Sequence, residues 1–257
     1  MRLDLYLFEN GLAKSRSFAK TLVCDGFVEV NNVVQKKPSY EVSDIDIINV
    51  TGHPYEYVGR GGLKLEAALC EFRIDVYGMV AVDIGASTGG FTHCLLMRGA
   101  KRVYAVDIGH GQLDSSLLSD DRVINLEGCN ARYLTESDIG EKCNIAVSDI
   151  SFISQTYIIP QVKDLINDNG IYIALIKPQF ECGKSGLNKN GIVKDKKIRY
   201  AAVKKVIDCA NSFGLTVCSL IKSPIEGGDG NVEYLMMCSK NNISAISDNV
   251  VKEVCGI

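Results

Sequence analysis

Residues 83–91, "DIGASTGGF", lie between the apolar run "MVAV" (79–82) and the helix-like stretch "FTHCLLMRGA" (91–100). A strand, a glycine-rich turn and a helix start together form a site for anions or nucleotides. The reason is that glycine lets a ligand approach the backbone and the helix start offers free N–H groups. A tight turn without a ligand is the simpler interpretation. The stretch predicts an α/β unit with a candidate nucleotide site at this turn.

The spacing of the glycines narrows the ligand. A dinucleotide fingerprint reads G-x-G-x-x-G, whereas here Ser87 stands at the second glycine position after Gly85, so the residue that lets a pyrophosphate approach is missing. Asp83 ends the first strand, and Asp107 ends the next one, "RVYAVDI" (102–108). Because a carboxylate in that position accepts hydrogen bonds from ribose hydroxyls, the pattern predicts a nucleoside ligand without a pyrophosphate.

Strand-like and helix-like stretches alternate outward from this turn, starting at residue 63. Strands that are apolar on both faces and separated by helices are typical of a parallel, doubly wound sheet. Residues 241–257 are polar and predict a frayed tail with a possible last turn. The predicted strands are "MVAVDIG", "RVYAVDI", "NIAVSDI", "IYIALIK", "LTVCSLI" and "EYLMMC", and the predicted helices are "GGFTHCLLMRG", "SQTYIIPQVKDLI" and "IRYAAVKKVIDCANSFG".

The first 50 residues have the pattern of a separate small α+β unit. Two short amphipathic helices are expected, the second capped by Ser15 and stopped at Gly26, followed by a hairpin around Asn31 and Asn32. The stretch "TGHPYEYVGRGG" is rich in glycine and aromatic residues and predicts a linker. The expected organisation is therefore residues 1–50 as a first domain, 51–62 as a linker, 63–240 as the main domain and 241–257 as a tail.

Composition excludes several classes of protein. Apolar residues make up 46% and charged residues 23%, which is ordinary for a globular protein. The longest apolar runs, such as "IYIALI" (171–176), fall well short of the roughly 18 residues that span a bilayer. Asp4 and Glu9 stand where a signal peptide needs an apolar core. The ten cysteines include no C-x-x-C pair and there are only three histidines, so we expect reduced cysteines in a cytoplasmic protein and no metal site.

Any binding of nucleic acid must come from local basic patches, because the formal net charge is −3. The longest such patch runs from Gly183 to Lys205 and carries eight basic residues against Asp195 alone. It predicts a flexible basic flap that meets RNA phosphates beside the site. A solvated helix face is the alternative interpretation of the same charges.

Residues 2–42 resemble the S-four-type RNA-binding domain over nearly its whole length, through "GLAKSRSFAKTLVCDGFVEVNN" (11–32). The resemblance implies a helix and turn that grip the RNA backbone, with Asn32 where the family usually has glycine. Such contacts position a protein on RNA without reading its sequence. The residues implied as phosphate contacts are Lys14, Ser15, Arg16, Lys20 and Lys37.

The glycine turn with its two acids resembles the first motif of class I methyltransferases that use S-adenosylmethionine. The resemblance implies a Rossmann-like fold with a doubly wound, mostly parallel sheet. It also implies that the turn faces the methionine moiety, Asp107 the ribose and Asn130, in "EGCNARYL" (127–134), the adenine edge. The full implied cofactor set is Asp83, Gly85, Ser87, Gly89, Gly90, Phe91, Asp107 and Asn130.

Two absences narrow the methyl acceptor. The strand ending "SDISF" lacks the Asn/Asp-Pro-Pro-aromatic motif of amino-nitrogen methyltransferases, and no Pro-Cys pair of carbon-five pyrimidine methyltransferases occurs, which leaves oxygen as a good candidate. A hydroxyl is a poor nucleophile near neutrality and needs orientation and charge stabilisation. Lysines beside carboxylates supply both. The candidates near strand ends are Lys64, Asp149, Lys177 and Glu233, with Glu226 as a competitor for the last role.

Residues 1–240 most closely resemble the hemolysin A (TlyA-like) family, which joins an S-four-type domain to an FtsJ-like methyltransferase. The resemblance rests on "GRGGLKLEAAL", "DIGASTGGF", "SDISFIS", "LIKPQFE" and "GNVEY", in this order. It implies 2′-O-methylation of cytidine ribose in ribosomal RNA, with Lys64, Asp149, Lys177 and Glu233 as the catalytic tetrad and ribosomal subunits as partners. Arg60, Lys184 and Lys189 are expected to add RNA contacts.

Two further expectations follow from the same family. Its shorter N-terminal forms act on the large subunit, and the start "MRLDLYL" favours that target. A monomeric protein without membrane contact is expected as well. Where the family linker often reads Arg-x-Trp-Val, this chain has "YEYV" (55–58), so Tyr57 is the expected aromatic hinge residue and the arginine of the family motif has no counterpart.

Two rival functions stay open at this point. A pore-forming cytolysin is suggested by the family name, but it needs an insertion segment or an export signal, and neither is visible in the sequence. A non-catalytic RNA-binding or ribosome assembly factor with a decayed site is the second rival, although all four tetrad residues are present.

Overall fold

The chain forms two compact units, Met1–Glu56 and Tyr57–Ile257. The structure is a computed structural model and describes residues 1–13, 15–52, 57–241 and 244–257. Residues 53–56 of the expected linker, and the predicted phosphate contact Lys14, lie outside the described residues.

The first unit packs two helices against a small antiparallel sheet. The elements are α1 (Leu3–Glu9), α2 (Arg16–Cys24), β1 (Val28–Val30), β2 (Val33–Val34) and β3 (Ile48–Val50), with strand order β2-β1-β3. The core of this unit is built mainly from leucine and valine side chains of α1, α2 and β1. Asn31 and Asn32 have φ angles of 53° and 64° and connect β1 to β2, so the predicted hairpin is confirmed with the left-handed pair that a tight two-residue turn requires.

The second unit is an α/β domain that begins with a helix and then alternates strands with helices. Its helices are α3 (Gly61–Phe72), α4 (Gly90–Met97), α5 (Ser115–Leu118), α6 (Glu136–Ile139), α7 (Ile159–Leu165), α8 (Pro178–Glu181), α9 (Lys196–Ser212) and α10 (Asp248–Cys255). Its strands are β4 (Val80–Ile84), β5 (Arg102–Val106), β6 (Val123–Leu126), β7 (Cys143–Ser148), β8 (Ile166–Ile176), β9 (Thr216–Lys222) and β10 (Tyr234–Ser239).

These strands form one seven-stranded sheet in the order β6-β5-β4-β7-β8-β10-β9. The pairs among β4 to β8 are parallel, whereas β10 runs antiparallel to both β8 and β9. The predicted doubly wound, mostly parallel sheet is therefore confirmed. In the sheet, β5 and β6 lie on one side of β4, and β7 and the later strands lie on its other side. Where the strand order reverses in this way, a crevice is left at the carboxyl ends of the strands.

Each face of the sheet carries a hydrophobic core. One core lies under α7, α9 and α10 and includes Tyr172 and Tyr234, and the other lies under α3, α4 and α5. Strands β4 and β7 are buried along nearly their whole length, which explains their unbroken apolar sequences. Among the described residues, no helix is both long and apolar enough to cross a membrane.

Several elements differ from the sequence expectations. Strands β3 and β6 and the short helices α5, α6 and α8 were not predicted, and β6 lies at the sheet edge, where its side chains are at most partly buried. The expected frayed tail is wrong for residues 248–255, because they form α10. Val251 and Cys255 of this helix are buried in the core, and Tyr200 donates a hydrogen bond to its Asp248 at 2.6 Å.

The ten cysteines are all free. Burial raises the pKa of the Cys94 and Cys143 thiols to about 12, so both are neutral, small apolar side chains near pH 7.

Candidate active site

The glycine turn after β4 has a left-handed backbone at three positions. Gly85, Ser87 and Gly89 have φ angles of 82°, 48° and 92°. A Cβ atom at Gly85 would lie 2.8 Å from the backbone oxygen of Asp149, so only glycine fits where β4 passes the end of β7. The turn thus brings the backbone close to an acid of the neighbouring strand.

Asp107 organises this turn from the end of β5. One carboxylate oxygen accepts a hydrogen bond from the Ser87 N–H at 2.7 Å and the other accepts one from the Gly109 N–H at 2.7 Å. A carboxylate has about four lone-pair positions, so acceptor capacity is left for a ligand. Asp107 therefore shapes the turn and can still receive hydroxyl groups.

A cavity of about 580 Å³ lies at the carboxyl ends of β4, β5 and β7. This volume is in the range of small-molecule and cofactor sites. The amide oxygen of Asn130 accepts the Arg132 N–H at 3.1 Å and so fixes this asparagine at the cavity wall. Predicted cofactor residues that line the cavity are Gly85, Ser87, Asp107 and Asn130.

A smaller cavity of about 180 Å³ shares Gly85, Ser87 and Asp149 with the first. Lys177 and Arg60 also line it, and so do the predicted cofactor residues Gly90 and Phe91. The two cavities adjoin, with Asp149 between them.

Asp83 and Gly89 line neither cavity. The Asp83 side chain is fully buried, and its Oδ2 accepts the Thr92 hydroxyl at 2.7 Å, which ties β4 to α4. Its Oδ1 has no hydrogen-bond partner among the described residues. Burial, with a smaller effect from the nearby charges of Asp149 and Asp107, raises the pKa of Asp83 to about 7, although the hydrogen bonds from Thr92 lower it. Asp83 thus supports the packing beside the turn and does not line a cavity.

The four predicted catalytic residues form two ion pairs. The Lys177 Nζ lies 2.6 Å from Asp149 Oδ1, and the Lys64 Nζ lies 2.6 Å from Glu233 Oε2. Lys177 also donates a hydrogen bond to the Ser151 hydroxyl at 2.8 Å. A paired charge is expected here, because the Lys64 and Glu233 side chains are only 9% and 2% exposed.

The sheet topology explains why these residues meet. Asp149 and Lys177 follow directly after the parallel strands β7 and β8, so both lie at the carboxyl edge. Strand β10 is antiparallel, and its first residue Tyr234 pairs with Ile176, which brings Glu233 to the same edge. Glu233 rather than the exposed Glu226 contacts Lys64.

Two aromatic rings near Lys177, the exposed Phe152 and the half-buried Phe180, were not predicted as site residues. Phe152 lines the larger cavity, is 87% exposed and has a φ angle of 66°, a strained value for a bulky side chain. Its ring centroid lies 5.2 Å from that of Phe180. Both residues occur in the quoted motifs "SDISFIS" and "LIKPQFE", but no sequence pattern indicates which phenylalanine is exposed.

Tyr57, the expected hinge residue, is fixed within the second unit. Its hydroxyl donates to Glu66 at 2.7 Å, and its ring lies edge-on to His93 at 5.8 Å. The Arg98 guanidinium lowers the pKa of Glu66, which stays ionised as the acceptor. A Cβ atom at Gly62 would overlap the Tyr57 ring, so this glycine is required for the contact.

The predicted phosphate contacts of the first unit divide into two kinds. The Ser15 hydroxyl accepts the Phe18 N–H at 3.1 Å and caps α2, and the Arg16 Nε lies 3.3 Å from the buried Asp4. Hydrogen bonds from Arg2 hold the pKa of Asp4 below its usual value. Lys20 and Lys37 are exposed. Ser15 and Arg16 thus have structural partners, whereas the two lysines face solvent.

The basic segment, residues 183–205, is anchored more firmly than the expected flexible flap. The Asn188 side chain accepts the Ile192 N–H at 2.9 Å, which forms a closed turn. The buried Asn231 accepts the Val193 N–H at 3.0 Å and donates to the Gly191 carbonyl at 3.1 Å. The lysines of the segment that remain exposed are Lys184, Lys189, Lys194, Lys196, Lys197 and Lys205.

Comparison with known proteins identifies both units. Residues 57–240 match the FtsJ-like methyltransferase family, and residues 1–48 match the S4 domain. Hemolysin A of Brachyspira hyodysenteriae is 42% identical over 240 residues, which is 91% of this chain and 98% of that protein. The 16S/23S rRNA (cytidine-2′-O)-methyltransferase TlyA of Mycobacterium tuberculosis is 40% identical over 247 residues, 96% of this chain and 92% of that protein.

A solved structure agrees with these relatives. The "Putative hemolysin from Streptococcus thermophilus" is 39% identical, has a TM-score of 0.81, and the match covers 99% of this chain and 94% of that one. Because the family match, the sequence identities to relatives and the shared fold all agree, this chain belongs to the FtsJ-like methyltransferase family and carries an S4 domain before its methyltransferase domain.

Proposed function

We propose that the protein transfers a methyl group from S-adenosylmethionine to the 2′-oxygen of a cytidine ribose in ribosomal RNA. The observation that carries this proposal is the Lys177–Asp149 ion pair, 2.6 Å long, at the edge of a cavity bounded by the glycine turn and Asp107. The family membership supports methyl transfer, and the curated relative that methylates cytidine in 16S/23S rRNA supports the acceptor.

The larger cavity fits the cofactor by volume and by its donor and acceptor groups. Asp107 would receive the ribose hydroxyls, Gly85 and Ser87 would contact the methionine part, and Asn130 would meet the adenine edge. When bound, S-adenosylmethionine supplies an electrophilic methyl carbon on a sulfonium. The absence of a close-approach glycine at position 87 is consistent with a ligand that has no pyrophosphate.

Lys177 is the residue that would orient the acceptor hydroxyl and stabilise its oxygen, while the hydroxyl proton would pass to solvent. Asp149 and Ser151 hold its ammonium group from two sides, at 2.6 and 2.8 Å, so its remaining N–H is directed rather than free to rotate. A fixed positive charge stabilises the negative charge that develops on the ribose oxygen, and one such donor is worth about 10²- to 10³-fold in rate. The buried Lys64–Glu233 pair holds the end of β10 against α3 and completes the charged set.

Ribosomal RNA would be held by groups outside the cavity. The S4 unit offers Lys20 and Lys37, and the basic segment offers Lys184 and Lys189, all of them exposed. Arg60 lines the smaller cavity next to Lys177, where it would meet a phosphate of the target nucleotide. The exposed Phe152 ring, supported by Phe180, is suited to stack on an unstacked base.

The proposal also names the ribosomal subunit that carries the target nucleotide. We expect a cytidine of the large subunit as the principal substrate in the cytoplasm, where ribosomes assemble, with the protein acting as a monomer. The curated relative's name covers both 16S and 23S rRNA, so both subunits belong in the assay.

Methyl transfer from labelled S-adenosylmethionine to purified, unmethylated ribosomal subunits tests the proposal. We expect label in RNA and not in ribosomal protein, with the large subunit labelled first. Binding of both subunits and of S-adenosylhomocysteine without any transfer would instead favour a non-catalytic RNA-binding or assembly factor.

A further inference from the structure

A buried carboxylate outside the catalytic set lies four residues after Lys177. Glu181 ends α8, and its side chain is only 1% exposed. A buried carboxylate is costly unless charged or polar donors surround it. Glu181 neither lines the two adjoining cavities nor belongs to the predicted site residues, so its burial needs another explanation.

The donors to Glu181 come from the segment that follows Asp149. The Gln155 N–H donates to Glu181 Oε1 at 2.7 Å, and the Ser154 hydroxyl donates to Oε2. From the other side, Lys205 of α9 lies 3.5 Å from Oε2 and also donates to the Glu181 carbonyl at 3.2 Å. The carboxylate therefore joins the loop after β7 to the helix after β8.

A second set of hydrogen bonds ties the same loop to the two strands. The Gln155 side chain donates to the Leu175 carbonyl at 2.9 Å and accepts the Tyr172 hydroxyl at 2.7 Å and the Ser148 hydroxyl at 3.2 Å. Ser148 directly precedes Asp149, and Leu175 lies two residues before Lys177. Gln155 thus fixes the strand ends, and Glu181 fixes the segments beyond them.

We propose that Glu181 is a positioning residue for methyl transfer. By locking residues 151–155 to α8, its carboxylate sets the Lys177–Asp149 pair in the geometry that meets the acceptor ribose and holds the Phe152–Phe180 rings where they would meet its base. The expected effect on kcat rests on the proposed function. The hydrogen bonds that join residues 151–155 to α8 exist independently of it. No other group among the described residues joins Ser154, Gln155 and Lys205 in this way.

The direct test is Glu181→Gln in the full-length protein. The amide has nearly the size of the carboxylate, but only its oxygen accepts hydrogen bonds, so it cannot accept from the Gln155 N–H on one terminal atom and from the Ser154 hydroxyl on the other. We expect kcat to fall about 10- to 100-fold, since a displacement of about 1 Å at reacting groups has effects of this size. The Kd for S-adenosylhomocysteine and the KM for ribosomal subunits should stay within about twofold. The matched control is Glu141→Gln, an acid that accepts from Arg102 at 2.6 Å and Tyr104 at 2.8 Å away from the site, and it should leave kcat unchanged.

A spectroscopic readout separates positioning from mere stability. The chain contains no tryptophan, so Phe152→Trp introduces a single tryptophan, which can be excited selectively over the tyrosines, at the loop that Glu181 holds. Adding Glu181→Gln should lower the fluorescence anisotropy of this tryptophan, whereas Glu141→Gln should not change it. A lower melting temperature with unchanged anisotropy and unchanged kcat per folded molecule would overturn the proposal.

A second variant covers the case in which Glu181→Gln does not fold. Ser154→Ala removes one donor and keeps the carboxylate, so we expect a several-fold loss of kcat with unchanged affinity for S-adenosylhomocysteine. An unchanged kcat in Ser154→Ala overturns the proposal. If the wild-type protein transfers no methyl group, the proposed function fails, and the anisotropy comparison still decides whether Glu181 holds the loop.

Discussion

Asp107 combines two tasks, because its carboxylate fixes the glycine turn and offers acceptors to a ligand. We predict that Asp107→Ala raises the Kd for S-adenosylmethionine about 10- to 100-fold, since hydrogen bonds to a charged group contribute about 1.5–3 kcal/mol. Isothermal calorimetry measures this directly. Asp121→Ala, at an exposed acid, serves as the control and should bind like the wild type. Equal affinities of the two variants would contradict the assignment.

The buried Asp83 makes the free energy of unfolding fall as pH rises, which is the opposite of the usual effect of a carboxyl group. Burial raises its folded-state pKa to about 7, above the ordinary 3.8, so the folded protein keeps a proton that the unfolded chain loses. The free energy of unfolding therefore decreases as pH rises from about 4 to about 7, by ~1.4 kcal/mol per pH unit for one proton, and the loss is complete above about pH 7.

Asp83→Asn removes this titration and keeps an acceptor for Thr92. We predict that the variant gains stability over the wild type between about pH 4 and 7 and that the difference is constant above about pH 7. Urea unfolding at several pH values provides the measurement. A stability difference that does not change with pH would show that Asp83 is ionised in the folded protein.

Among the single residues, the sequence patterns were most informative where a strand ends. Asp107, Asp149 and Lys177 each follow a strongly apolar strand, and parallel strands bring their carboxyl ends together. Phe152 and Glu181 could not be recognised in this way. The exposure of one ring and the burial of one carboxylate depend on packing between segments that are distant in sequence.

Helix α10 shows what local patterning misses in an element. Its buried positions, Val251 and Cys255, are one turn apart in a helix of only eight residues, so the apolar stripe is too short to stand out from a tail. Strand β6 was missed for a related reason: it lies at the sheet edge and is only partly buried. The central strands, buried on both faces, have apolar runs that predict them directly.

Neighbouring valines in α10 provide a matched test of its packing. Val251 is 2% exposed and Val250 is 40% exposed. We predict that Val251→Ala lowers the free energy of unfolding by about 1–2 kcal/mol, because it leaves a cavity, whereas Val250→Ala changes it by less than about 0.5 kcal/mol. Urea unfolding of both variants measures the difference. Equal effects would mean that α10 does not pack on the core as described.

For the molecule as a whole, the S4 unit and the basic segment are expected to supply most of the RNA affinity in a protein whose net charge is −3. We predict that the double variant Lys184→Ala with Lys189→Ala weakens binding to ribosomal RNA. In a plot of the logarithm of the binding constant against the logarithm of the salt concentration, the slope of the variant should be smaller in magnitude by about 0.7–0.9 for each lost phosphate contact. Filter binding over a range of salt concentrations gives both values.

Lys101→Ala is the control for this charge removal. Lys101 directly precedes β5 and donates its backbone N–H to Met79, at the sheet edge opposite the candidate site. It should leave affinity and slope unchanged. If the basic segment is only a solvated helix face, which is the alternative interpretation, the double variant should bind RNA like this control.

The central claim is tested most directly by mapping the methyl group on RNA treated with the wild type and with Lys177→Ala. Nucleoside mass spectrometry of rRNA after reaction with labelled S-adenosylmethionine should give 2′-O-methylcytidine for the wild type. Lys177→Ala should give none while it still binds S-adenosylhomocysteine, because Lys177 lines the smaller of the two cavities. Label on a base, or full transfer by Lys177→Ala, would contradict the account.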